Sequence, residues 1–135
     1  MAEPMKPVVN GLSRPFWEAA QAGRLSLPHC VATDRPFWPP SPLSPFAAGG
    51  AVAWREVPAE GVLLSRVTYR RAFQRAFAAR LPYAIALVEI VPGVRLLAHL
   101  AAPDRDDAPR AGVRVRLGFE ILVEGGGPVL VVRSA

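Results

Sequence analysis

Cysteine occurs once in these 135 residues, at Cys30, and lysine once, at Lys6. A single thiol excludes an internal disulfide, and with it the framework of a secreted, cross-linked mini-domain. No run reaches the ~18 uncharged apolar residues that span a membrane. The N-terminal MAEPMKPVVNG has no apolar signal core. A cytoplasmic protein without membrane association is therefore expected. Long basic runs are also missing. The formal net charge of +5, carried almost wholly by arginine, is an ordinary solubility charge, although a basic surface does suit anionic partners. What the chain has is apolar residues, 51% of the total. At this length that supports one compact domain, or one domain with a small appendage.

Residues 1–12, with Pro4, Pro7 and Gly11, form a loose lead-in. SRPFWEAAQAG then reads as a short helix. Ser13 is placed to cap it, Pro15 lies in the first turn where its missing N–H costs nothing, and Gly23 suits the left-handed stop. The Phe16–Trp17 pair docks either on the protein's own body or on a partner. Residues 28–50 contain Pro36, Pro39, Pro40, Pro42 and Pro45, which forbid regular helix and central strand.

Past Gly50 the pattern alternates. Strands are expected over 51–57, 62–71, 83–90, 94–100, 113–121 and 128–133. In the fifth, Val113, Val115, Leu117, Phe119 and Ile121 should point inward. VPGV marks a hairpin between the third and fourth. Five or six short strands with tight turns suggest a small closed barrel, so the fold class is mainly β. RRAFQRAFAARLP (70–82) is either a short helix or an ordered loop, with Phe73 and Phe77 four residues apart among Arg66, Arg70, Arg71, Arg75 and Arg80.

No strong catalytic constellation emerges. His99, on a strand, is a possible general base or a partly buried structural residue. Cys30 beside His29 is not a nucleophile–base dyad, because neighbouring side chains diverge. Asp104, Asp106 and Asp107 lie in a turn-rich loop with Arg105 and Arg110, and a solvated turn is favoured over a cation site. EGGGP has no Lys-Ser/Thr or helix after it and is not a phosphate loop. Oligonucleotide binding ranks low, since the strand over 113–121 exposes Arg114, Arg116 and Glu120 but no aromatic.

The order FWEAAQAGRLSLPHC, FWPP, LPYAIALVEIVPGVRLLAHL, DDAPRAGVRVRLGFE, from about Pro15 to Glu120, resembles the acyl-CoA-associated OB-fold family, long catalogued as a domain of unknown function. The resemblance implies an N-terminal helix, a rubredoxin-like zinc ribbon and a C-terminal OB-fold barrel. The chain then divides into the lead-in 1–12, a helix and ribbon region 13–48, and a barrel 49–135. The family's ribbon carries two Cys-x2-Cys pairs, and here the four positions are Cys30, Thr33, Ser44 and Ala47. One ligand of four remains, so the expectation is a proline-rich ribbon remnant with no zinc, held by Phe37, Trp38 and Phe46.

For function the resemblance implies a noncatalytic accessory subunit of a thiolase-fold enzyme, or in some members of a hot-dog hydratase, acting on acyl-CoA. No tightly bound cofactor is expected beyond a coenzyme A thioester shared with the partner. The alternatives are a standalone acyl-CoA or acyl-carrier binding module and a single-strand nucleic-acid binder. Arginine presents paired planar donors to phosphate. Arg70, Arg71, Phe73, Arg75, Arg80 and Tyr83 are accordingly the candidate CoA or partner edge, chosen by residue type because no family motif fixes them.

Overall fold

The structure, a computed structural model, describes residues 10–71 and 79–135. Of the candidate edge, Phe73 and Arg75 lie outside the described residues, as does most of the segment expected to be helix or loop.

Helix α1 runs Arg14–Gln21. It ends as Gly23 foretells. Gly23 sits at φ +74°, its N–H reaches the Ala20 carbonyl at 2.9 Å, and the Arg24 N–H reaches Ala19 at 2.9 Å. This is the paired closure that satisfies carbonyls left open at a helix end. Its start differs from expectation. The Ser13 hydroxyl does not cap the helix; it accepts the Asn10 N–H at 3.2 Å, while Asn10 Oδ1 receives the N–H groups of Leu12 and Ser13. Phe16 and Ala20, one helical turn apart, are buried. Burying the Phe16 ring contributes about 2–3 kcal/mol by area.

A strand the proline count obscures, β1 (Leu25–Cys30), then pairs with the expected one, β2 (Val52–Val57). Two expectations are corrected here. Residues 25–30 form a fully buried strand that includes Pro28. The Pro28 carbonyl accepts the Phe37 N–H at 3.0 Å, on the side away from β2, so the N–H that proline lacks would also have pointed away from the β2 ladder. And the strand expected over 51–57 lies outside the barrel, because its partner is β1.

The barrel consists of β3 (Glu60–Tyr69), β4 (Tyr83–Val91), β5 (Val94–Leu100), β6 (Arg114–Glu120) and β7 (Val129–Ser134), closed in the order β3-β4-β5-β7-β6. This is the five-stranded OB barrel. Its β5–β7 seam is parallel and pairs over only two positions, His99 with Val131 and Leu100 with Val132. Alternation positions the core. Ala84, Ala86, Val88 and Ile90 of β4 face inward, as do Val94, Leu96, Ala98 and Leu100 of β5. In β6 only the middle follows the expected pattern: Val115 and Leu117 are buried, Phe119 is half-buried, and Val113 and Ile121, which overrun the strand, are exposed. β3 bends enough to pair with both β4 and β6, and Gly61 sits where all three meet. A Cβ there would stand 2.4 Å from the Glu89 carbonyl oxygen, a distance only glycine tolerates. One apolar cluster joins barrel, helix and ribbon, through Phe16, Leu25 and Leu27.

Candidate functional site

Two hydrogen-bonded turns flank the positions where the ribbon's ligand pairs are expected. In the first, the Asp34 N–H bonds the Cys30 carbonyl at 2.7 Å and the Cys30 N–H bonds the Arg35 carbonyl at 2.8 Å. Asp34 takes the left-handed conformation at φ +56° and its carboxylate pairs with Arg55. In the second, Gly50 closes the loop: its N–H reaches the Ala47 carbonyl at 2.9 Å, and its carbonyl accepts from Ser44 N–H at 3.0 Å. A Cβ on Gly50 would lie 2.9 Å from the Ala47 oxygen and 3.1 Å from the Ser44 Cβ.

At the centre, Ser44 Oγ accepts the Phe46 N–H at 3.0 Å. Hydrogen bonds from Ser44, then Thr33, pull the Cys30 thiol down to about 7. Cys30, Thr33 and Ser44, three of the four positions expected to carry ligands, thus meet around one thiol. That donor set does not fit structural zinc: one sulfur, two neutral hydroxyls and a methyl are no substitute for thiolates and imidazoles. Aromatics brace the loop around it. Phe37 and Phe46 meet edge to face at 6.2 Å, and the Arg35 guanidinium lies 3.8 Å above the Phe46 ring. Trp38 packs on Phe16 at 4.9 Å.

His29, beside the first turn, is buried, with Nδ1 2.9 Å from the Leu27 carbonyl. In the Asp104–Asp107 loop, Asp107 is gripped by Arg105 at 2.8 and 3.1 Å, which holds its carboxyl below the usual carboxylate range. Among the described residues no group of three or more His, Cys, Asp or Glu side chains is placed to hold a metal ion, and no helix is long and apolar enough to cross a membrane.

Two cavities lie against the barrel among the described residues. The larger, about 570 Å³, is an apolar groove beside the short β5–β7 seam. Phe16, Trp17 and Trp38 line it together with Tyr69, Ile85, Leu97, His99 and Arg95. The smaller, about 220 Å³, is more polar and is flanked by Arg80, Tyr83, His99, Glu120 and Arg133. Tyr83 meets Tyr69 at 5.2 Å and His99 at 5.8 Å between ring centroids, with the planes tilted. Burial, then the Arg80 charge, pushes the His99 pKa below its ordinary 6.5. The fold thus favours the neutral form of the ring.

Of the sequence candidates, Arg80 and Tyr83 come together with His99 around the smaller cavity. Arg70 and Arg71 are exposed beyond the end of β3 and line neither cavity. The groove was missed as a site. Its signal in the sequence is the aromatic pair Phe16–Trp17 together with Trp38, which meet only after the ribbon folds back on the helix.

A ribbon without its thiolates, packed through one helix onto a five-stranded OB barrel, defines a ribbon–OB protein with no assembled nucleophile or metal centre among its described residues. The chain belongs to the ChsH2 family: residues 17–43 match the rubredoxin-like zinc ribbon domain of ChsH2 and residues 54–120 match its C-terminal OB-fold domain. It is 33% identical over 104 residues to a probable enoyl-CoA hydratase alpha subunit of Thermomonospora curvata, a match covering 74% of this chain and 31% of that protein. The chain thus spans about a third of the length of that curated relative. A chain of the solved Ltp2-ChsH2(DUF35) aldolase superposes with a TM-score of 0.77 at 29% identity, covering 96% of this chain and 98% of that one.

Proposed function

We propose that this chain is a noncatalytic partner subunit of a thiolase-fold enzyme acting on acyl-CoA substrates, helping to assemble that enzyme and to hold the CoA-linked substrate. The observation that carries the reading is the near full-length likeness to a chain of the Ltp2-ChsH2(DUF35) aldolase. The chemistry of this chain agrees with it. Cys30 is fully buried and bonded, His99 is half-buried, and Asp107 of the acidic loop is tied to Arg105. A partner that brings the nucleophile would complete such a scaffold.

The test is co-expression with a thiolase-fold protein from the same organism. The expected result is a discrete complex on size exclusion, with acyl-CoA cleavage or transfer that needs both chains. Turnover by this chain alone, or full activity of the thiolase-fold protein without it, would overturn the reading. The Thermomonospora relative, a probable hydratase subunit, favours a second reading in which the partner is a hydratase. Hydration activity appearing only with a hot-dog partner would distinguish it.

A further inference from the structure

One edge of the ribbon is covered and the other is open. In an antiparallel pair, successive residues turn their backbone groups to alternate sides. The Pro28 carbonyl accepts from Phe37, away from β2, and the Val31 N–H reaches the Ala51 carbonyl at 3.0 Å. With Pro28 opposite Trp54 and His29 opposite Ala53, these bonds fix the phase. Ala53 and Arg55 exchange bonds with β1; Val52, Trp54 and Glu56 turn theirs outward. The outer side of β1 is covered by the turn that follows it, through the Cys30 N–H to the Arg35 carbonyl and the Phe37 N–H to Pro28. Nothing comparable covers β2. It pairs with β1 alone, and among the described residues no group bonds the outward N–H and carbonyl of Val52, Trp54 or Glu56. Native edges are blunted by proline, bulges or free charges. β2 has no proline or glycine and a regular register, and its two charges are met within the chain, Arg55 by Asp34 and Glu56 by Arg24 at 3.8 Å.

We propose that β2 is the docking edge for a second copy of this chain, the two β2 strands pairing antiparallel about a two-fold axis at Trp54. Only an extended strand with an open edge satisfies such groups. Each barrel strand is paired on both sides over part of its length, whereas β2 is open along all of one side. Self-pairing also selects one register. Centred on Arg55, it would oppose two arginines and set Val52 against Pro58, which has no N–H. Centred on Ala53, it would set Glu56 against Gly50, whose N–H and carbonyl are already bonded to Ala47 and Ser44. Centred on Trp54, it bonds every outward group of Val52, Trp54 and Glu56. Val52 then faces the second copy's Glu56 and Ala53 its Arg55, and no like charges stand opposite. The pairing stands apart from the acyl-CoA reading above.

The experiment is sedimentation velocity of the full chain from about 1 μM to about 1 mM, where a small interface associates, with amide hydrogen exchange by NMR at both ends of the range. A monomer–dimer equilibrium is expected. Exchange at Val52, Trp54 and Glu56 should slow as concentration rises, while Ala53 and Arg55, already bonded to β1, keep their rates. Glu56→Pro removes an outward donor and no bond to β1, so that variant should fold and stay monomeric. Val52 supplies a second pair of variants. Val52→Lys sets a positive charge against the second copy's Glu56 and Val52→Glu a negative one, and by symmetry each contact occurs twice. Val52→Glu should dimerise at least about tenfold more weakly than Val52→Lys. Equal dimerisation of the two overturns the proposal, as does a chain that stays monomeric throughout. A dimer in which the three outward amides keep their exchange rates puts the interface elsewhere and overturns it too. A monomer whose complex with a thiolase-fold protein is lost in Glu56→Pro gives the edge to that protein and overturns the pairing of copies.

Discussion

His99 on β5 stands against Tyr83 on β4, ring centroids 5.8 Å apart and planes inclined at 40°. The imidazole is half-buried, and burial is the larger cause of its lowered pKa, with Arg80 second. The folded-state pKa lies below the unfolded value of 6.5, so the unfolded chain binds the proton more readily. Stability from this group is complete above pH 6.5 and is lost as pH falls toward the folded pKa. Urea midpoints measured at pH 7, 6 and 5 should fall for the wild type. They should fall less for His99→Gln, which has no proton to take up. Equal slopes for the two would show that His99 is not the group responsible.

Trp38 and Cys30 should differ sharply in what they hold. Trp38 is half-buried and wedges between the ribbon and Phe16 at 4.9 Å. Trp38→Ala should cost about 2–3 kcal/mol, below the loss for a fully buried aromatic because part of the ring is already wet. Cys30→Ser keeps a small polar atom among Ser44 and Thr33 and should cost less. Denaturant unfolding of the two variants reads the order directly, and a larger loss for Cys30→Ser would reverse it.

Local chemistry made most of the barrel legible. The alternation of VRLLAHL puts Val94, Leu96, Ala98 and Leu100 on one face, and all four are buried. Gly23 stops the helix because only its left-handed conformation closes the last carbonyls. What remained hidden depends on partners far along the chain. Pro28 argues against a strand until Phe37 is seen bonded on the side where proline has nothing to offer. β2 looks like any barrel strand, and only pairing with β1 removes it from the barrel. For the candidate site, Arg80 and Tyr83 were found by residue type near β4. The groove was not, because Trp17, Trp38 and Leu97 come from three separate segments.

Gly61 is a steric keystone. It pairs with Val115 on β6 while the backbone of β4 presses on its other side. A methyl there would meet the Glu89 oxygen at 2.4 Å and Val88 Cγ1 at 2.9 Å. The carbonyl belongs to a paired backbone and cannot rotate away as a side chain would. Gly61→Ala should therefore destabilise by about 3 kcal/mol, the upper end for overpacking. Gly112→Ala tests whether the cause is contact, since nothing lies within 4 Å of a Cβ there and only the backbone at φ +91° resists. A smaller loss for Gly61→Ala than for Gly112→Ala would refute the contact argument.

The ribbon's geometry outlasts its chemistry, and that makes the zinc question experimental. Metal knuckles direct backbone N–H groups at sulfur; here the Phe46 N–H meets Ser44 Oγ at 3.0 Å, and backbone groups of Thr33 and Ala32 bond Cys30. The loop is therefore shaped without thiolates, by Asp34 and Gly50 at the turns and by Phe37, Trp38 and Phe46 around them. Protein purified with zinc in every buffer should hold far less than one zinc per chain by elemental analysis. The combined variant Thr33→Cys, Ser44→Cys, Ala47→Cys supplies four thiols at the four family positions. It should take up one zinc, with the thiolate-only coordination of a closed tetrahedral site in X-ray absorption. Its melting temperature should then rise with added zinc, because binding to the folded form alone shifts the equilibrium. Stoichiometric zinc in the wild type would refute the hydroxyl replacement. A four-cysteine variant that folds but leaves zinc unbound would show that the knuckles no longer converge.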